Sequence, residues 1–144
     1  MKRLINLHLI ATITALISTT AFAVPHNNPN NLLDCGSISI LGGGACNTAL
    51  QELCDATDIA TVGALNQGYD FKKQNDHDTL VSKVVGAALK YDQGKDLRGE
   101  SKLAEYGTKL NGMNCSPSES KPKIQCALQT ELNTDLITAQ GACP

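Results

Sequence analysis

Apolar residues recur at helical spacing over most of the second half of the chain. Leu80, Val84, Ala88 and Tyr91 fall on one helix face, widened by Val81, Val85 and Ala87. Lys83 and Lys90 fall together on the opposite face, which predicts a helix with one wet side. Asp76 or Asp78 suits its N-cap, and Asp92-Gln93-Gly94-Lys95 ends it. A second helix starts between Asp96 and Ser101, with Gly99 softening the boundary. Its stripe is Leu103, Tyr106 or Gly107, Leu110 and Met113, and it stops by Cys115. Ile124, Leu128, Leu132, Leu136 and Ala139 make the cleanest stripe, on a helix running from about Pro122 to Gly141. Ser116-Pro117-Ser118-Glu119 has the form of a capping box, but Pro122 would remove a backbone bond from a continuous helix. A single turn over 116–120 is therefore expected ahead of the last helix.

The first half is less regular. Leu50, Leu53, Ala56 or Thr57, and Ala60 form one row, and Ile59, Val62 and Asn66 an offset one. A helix begins near Ala45 or Cys46, after three glycines, and either runs to about Asn66 or breaks near Asp58. Gly68 ends this region, and Tyr69 to Asn75 reads as a polar connection. Gly36 to Ala45 is apolar but rich in glycine. Ile38 and Ile40 alternate with serine, yet a single strand lacks a partner, so an ordered loop is expected. The expected fold is all-α: a small disulfide-stapled bundle of four to five helices.

The N-terminal residues are expected to lie outside that bundle. Met1-Lys2-Arg3, the apolar stretch from Leu4 to Ile17 and Ala21-Phe22-Ala23 describe a secretory signal peptide over residues 1–23. Residues 24–34 form a leader rich in Asn and Pro, and residues 35–144 one domain. Nothing after Ala23 has the roughly 18 consecutive apolar residues of a membrane span. The expected location is secreted or periplasmic. The unadorned signal peptide favours a bacterial source. So does the weak glycan sequon at Asn114-Cys115-Ser116, whose central cysteine is expected in a disulfide.

Cysteine usage sharpens this picture. Cys35, Cys46 and Cys54 precede the helical middle, and Cys115, Cys126 and Cys143 follow it. An even count in an exported chain implies three disulfides, with connectivity open. A zinc site would need closer pairs, since the shortest spacing is Cys46 to Cys54. If both lie on one helix they are about 12 Å apart along its axis and cannot bond to each other. Aromatic residues are scarce and tryptophan is absent, so the core must be built from Leu, Ile, Val and Ala.

Charge is unevenly placed. Every Lys and Arg after residue 3 lies between Lys72 and Lys123, ten bases against seven acids, and the segments on either side carry seven acids and no base. The acidic total argues against nucleic acid as a partner. On an ideal helix Lys95, Arg98, Lys102 and Lys109 fall within an arc of about 60°. If this helix packs antiparallel to the one before it, Lys83 and Lys90 join the row as one shallow positive surface. Glu105 lies four residues before Lys109 and three after Lys102, so helix-face pairing would offset part of the charge.

Candidate catalytic chemistry is thin. Asp76-His77-Asp78 places a histidine beside two carboxylates, the components of a general base. The plain structural reading is a helix cap with a solvated His77. Gly42-Gly43-Gly44 lacks the pattern of a nucleotide loop, and no G-x-S-x-G is present. No cofactor, metal ligand or catalytic residue is assigned. The expected function is a secreted non-enzymatic interaction protein, of the envelope or virulence kind. It would contact an anionic lipid head group or an acidic protein through Lys83, Lys90, Lys95, Arg98, Lys102 and Lys109. The alternatives are a small secreted hydrolase using His77 with Asp76 or Asp78, and an inhibitor of another secreted enzyme that inserts the Gly36 to Ala45 loop.

Overall fold

The computed structural model describes residues 35–38, 43–118 and 121–144. The signal peptide and leader expected over 1–34 lie outside the described residues. Four helices follow in order: α1 (Gly44–Asp58), α2 (Gln74–Asp92), α3 (Asp96–Asn111) and α4 (Cys126–Ala142). Two short parallel strands, β1 (Cys115–Ser116) and β2 (Ile124–Gln125), join α3 to α4. The fold is a small all-α one stapled by three disulfides.

The helices pack in a ring, α1 on α2, α2 on α3, α3 on α4 and α4 on α1. The side formed by α2 and α3 is therefore opposite the side formed by α4 and α1. The apolar rows meet in the middle, with Leu50, Leu53, Leu80, Val84, Leu103, Leu110 and Leu132 inaccessible to solvent. Each such Leu or Val removes apolar area worth about 1.5–3 kcal/mol from water. One polar chain crosses this core. Thr57 Oγ1 donates to the Leu53 carbonyl at 2.7 Å, so it accepts from the Tyr106 hydroxyl at 2.9 Å. That bond joins α3 to α1 across the bundle diagonal. It also explains how a buried tyrosine is tolerated.

The break near Asp58 is the one the chain takes. After Ile59 the backbone turns, and Asp70 Oδ2 accepts bonds from Thr61 N and Thr61 Oγ1 at 2.9 and 2.8 Å. The connection before α2 is not simply polar. Phe71 is fully buried and bridges both Val62 and Ile124 through backbone pairing. Tyr69 and Phe71 are too few in a short polar run to set a period, so the burial of Phe71 was not legible from the pattern. α2 also starts earlier than expected, at Gln74, and neither Asp76 nor Asp78 is its N-cap. Both sit inside its first two turns, where a carboxylate still favours the positive end of the helix.

The C-terminal part departs further from expectation. Among the described residues, 115–118 form a strand and turn in place of a helical turn, and α4 begins at Cys126, not Pro122. Ile124 leads the apolar stripe as a strand residue, fully buried against Phe71. The bond between Cys115 and Cys126 closes this short loop, a constraint that periodicity does not register. Gly141 lies within α4 instead of ending it. The other two bonds join Cys35 to Cys54 and Cys46 to Cys143. Cys46 and Cys54 both lie on α1 and each bonds elsewhere, as the helical spacing requires.

Two glycines set helix spacing. A side chain on Gly99 would meet the Tyr91 ring at 2.7 Å, and one on Gly107 would meet Leu136 Cδ2 at 2.9 Å. The first lets α2 and α3 close together beside their turn, where Gly94 takes a φ of 63°. The second lets α4 approach α3. Gly86 differs, because a side chain there would meet only Lys102 Cδ at 3.8 Å. Gly86→Ala is expected to raise stability by about 0.5–1 kcal/mol through helix propensity. Gly99→Ala is expected to lower it by about 1–3 kcal/mol through overpacking. Urea unfolding of the two variants side by side checks the opposite signs.

Candidate functional site

The α2–α3 hairpin fixes which charges share a surface. Residue pairs 76 with 109, 83 with 105 and 91 with 99 lie together across the seam, so the two helices run antiparallel. Lys83 and Lys90 are two helical turns apart on α2, and Arg98, Lys102, Glu105 and Lys109 follow at steps of three or four on α3. Lys83 Nζ lies 2.9 Å from Glu105 Oε2, and so does Lys102 Nζ. The two rows therefore meet along one side of the seam, as the antiparallel expectation required. Lys95 stands at the turn, where its Nζ donates to Gln93 Oε1 at 2.9 Å.

The surface is less basic than a count of lysines implies. Glu105 is shared by Lys83 and Lys102, and Lys109 Nζ sits 2.6 Å from Asp76 Oδ1. The helix-face pair expected between Glu105 and Lys109 does not form, because Lys109 reaches across the seam to Asp76 instead. Lys83 is not on a wet face either: its side chain is 24 % exposed and lies against α3. The cross-helix partners follow from hairpin register, which sequence spacing does not provide. Lys90 and Arg98 make no ion pair among the described residues. Arg98 and Lys95 border an open depression of about 440 Å³ at the turn, lined also by Gly94, Asp96 and Leu97. Asp96 and Glu100 lie near Tyr91, whose phenol is pushed up by burial and further by Glu100 and Asp96.

The hydrogen bonds from Lys83 and then Lys102 hold the Glu105 carboxyl well below the ordinary carboxylate range, at about 2. A depressed folded-state value means that the pairing favours the fold fully above the ordinary carboxylate pKa. The contribution is lost as pH falls through about 2.

His77 lies on another part of the molecule. It is 3 % exposed and is held between the end of α1 and the start of α2. The solvated histidine expected from sequence is thus a buried one. Its Nε2 donates to the Asp58 carbonyl at 3.3 Å, taking up an acceptor that the end of α1 leaves open. Its Nδ1 lies 3.0 Å from Asp78 Oδ1, and Gln74 Nε2 donates to that same oxygen at 2.7 Å. The ring meets Phe71 edge-on at a centroid distance of 5.6 Å. Both nitrogens thus serve the α1–α2 junction. Asp76, the other carboxylate of the sequence cluster, points to Lys109 instead. The inhibitory-loop alternative rests on Gly36 to Ala45, and residues 39–42 of that stretch lie outside the described residues.

Among the described residues no group of three or more His, Cys, Asp or Glu could hold a metal ion, and no helix is long and apolar enough to cross a membrane. None of the family models, curated proteins and solved structures compared with this chain matches it.

Two outcomes test the charge assignments. NMR titration should find Glu105 ionising at about 2 in the native protein, and markedly higher in the Lys83→Met/Lys102→Met double variant. Lys109→Met leaves the Asp76 carboxylate, 8 % exposed, without its partner. It should cost about 1–3 kcal/mol in urea unfolding, whereas Lys90→Met should stay within about 0.5 kcal/mol of the parent.

Proposed function

We propose that this is an exported, non-enzymatic binding module whose contact surface is the basic side of the α2–α3 hairpin and whose partner is an acidic protein. The observation that supports this is the hairpin register, which gathers Lys83, Lys90, Arg98, Lys102 and Lys109 along one seam, where Glu105 and Asp76 pair with three of them among the described residues. Lys95 extends the row at the turn. The net positive charge of that seam steers an acidic partner toward it and orients it on arrival. The three disulfides suit the oxidising compartment in which such a module would work.

An acidic protein fits better than an anionic lipid. The exposed apolar side chains of the hairpin are Leu89 and Leu97. Each is one residue, about 100° of helix rotation, away from Lys90 or Arg98. Leu97 stands only at the turn end, beside Lys95 and Arg98, and the row from Lys83 to Lys109 has neither leucine beside it, which is little apolar area to hold a bilayer. A protein surface with spaced carboxylates needs no such insertion.

Immobilised polyglutamate should capture the protein at about 0.01 M ionic strength, where the Debye length is about 30 Å, and release it at about 1 M, where it is about 3 Å. Lys90→Glu with Arg98→Glu reverses two charges that make no ion pair, so the fold should be preserved. This variant should bind polyglutamate about tenfold more weakly or worse, roughly 1.4 kcal/mol. Equal binding by a normally folded double variant would remove the reading.

A further inference from the structure

We infer that the acidic partner of the basic seam is the opposite side of a second copy of this chain, so that the protein associates head to tail. The inference rests on the basic seam being a contact surface, and adds what covers it. It starts from the charge found across the bundle. The two helices opposite the seam, α1 and α4, contain Glu52, Asp55, Asp58, Glu131 and Asp135 and no lysine or arginine. None of these five acids makes an ion pair among the described residues. One molecule thus carries two surfaces of opposite net sign, the basic one partly paired with Glu105 and Asp76.

Helix packing puts the acids on the outside of that side. Thr48, Glu52 and Asp55 on α1 and Ile59 just past its end follow at steps of three or four, and all four are exposed. On α4, Gln129 and Asn133 bond to the end of α3, which marks the α3-facing edge of that helix. Asp135 is rotated about 200° from Asn133 and so lies on the other edge of the helix. Glu131 precedes it by one turn and is exposed. The α1 acids therefore point outward, with Asp55 held by Gln51 on the Cys35 side, and the α4 acids lie on the helix edge away from α3.

Ile59 supplies an apolar anchor in the acidic row, at 67 % exposure and four residues beyond Asp55. A second copy is the occupant that charge complementarity selects, since every copy presents both surfaces. The two surfaces differ and lie on opposite sides, so the contact is heterologous, and each bound copy leaves one surface of each sign open for the next. Association should therefore grow with concentration instead of stopping at a closed pair.

Sedimentation equilibrium of the intact protein tests this with two charge-reversed variants. Glu52→Lys/Asp55→Lys removes the acidic surface and keeps the basic one, and Lys90→Glu/Arg98→Glu does the converse. At about 0.01 M ionic strength the parent protein should gain mass with concentration, and it should return to monomer at about 1 M. Each variant alone should be monomeric at low salt. Their equimolar mixture should form pairs that do not extend, because the only intact surfaces are then in contact. A parent that stays monomeric at low salt, a single variant that assembles like the parent, or a mixture that stays monomeric would each overturn the inference. Binding of polyglutamate by a monomeric parent would sink self-association alone and leave the contact surface standing, whereas failure in both assays would sink both. If a reversed pair melts early, the corresponding Gln variants make the same comparison with smaller charge changes.

Discussion

The covalent tie between Cys46 and Cys143 is the constraint on which the arrangement depends most. It joins the first turn of α1 to the residue that follows α4, across a sequence separation of 97. In the chain-entropy account a closure of that length is worth about 4–5 kcal/mol, more than a short staple can give. Its larger consequence is placement. α4 is only weakly amphipathic, and the hydroxyls of Thr130, Thr134 and Thr138 bond back to carbonyls of their own helix. Its stripe of Leu132, Leu136 and Ala139 turns one face inward, but that pattern does not fix which helices it meets. The tie at Cys143, the bond between Cys115 and Cys126 at its other end, and the close approach of Leu136 to Gly107 decide it instead.

A core with few aromatics relies on a small number of directional contacts. The bond from Tyr106 to Thr57 couples α3 to α1 where no apolar contact alone would fix their relative height. Phe71 plays a comparable part at one end of the bundle. Its backbone pairs with Val62 and Ile124, its ring meets His77, and His77 in turn holds the end of α1. The histidine that looks most chemical in the sequence is thus part of a structural junction. A buried imidazole with both nitrogens engaged is well suited to joining two helix ends.

The same packing order gives the molecule its electrical asymmetry. Because α1 touches α2 and α4, and α3 touches the same two, the helices that carry bases are neighbours and the helices that carry only acids are neighbours. Cross-seam pairs at Glu105 and Asp76 soften the positive side without cancelling it. Those pairs also tie the hairpin together, so lysines that read as surface charges are partly structural. Lys90 and Arg98 are the basic residues least committed to such pairing. They therefore report on binding with the least disturbance to the fold.

The sequence by itself determined the class of fold, the four helical rows, the hairpin turn at Gly94 and the segregation of charge along the chain. Each is a local property: a 3.6-residue period, a residue that tolerates positive φ, or a count of charges in a window. The requirement that Cys46 and Cys54 bond elsewhere was also legible, because rise per residue along one helix is fixed. Tertiary structure alone decided the partners. Which cysteines meet, that Lys109 pairs with Asp76 and not Glu105, and that Phe71 and His77 are buried all depend on residues distant in sequence. A periodic pattern records which face of an element turns inward, but not which element it turns toward. The pairing across the bundle is set by helix register, disulfide closure and close packing at glycine, and these exist only once the chain has folded.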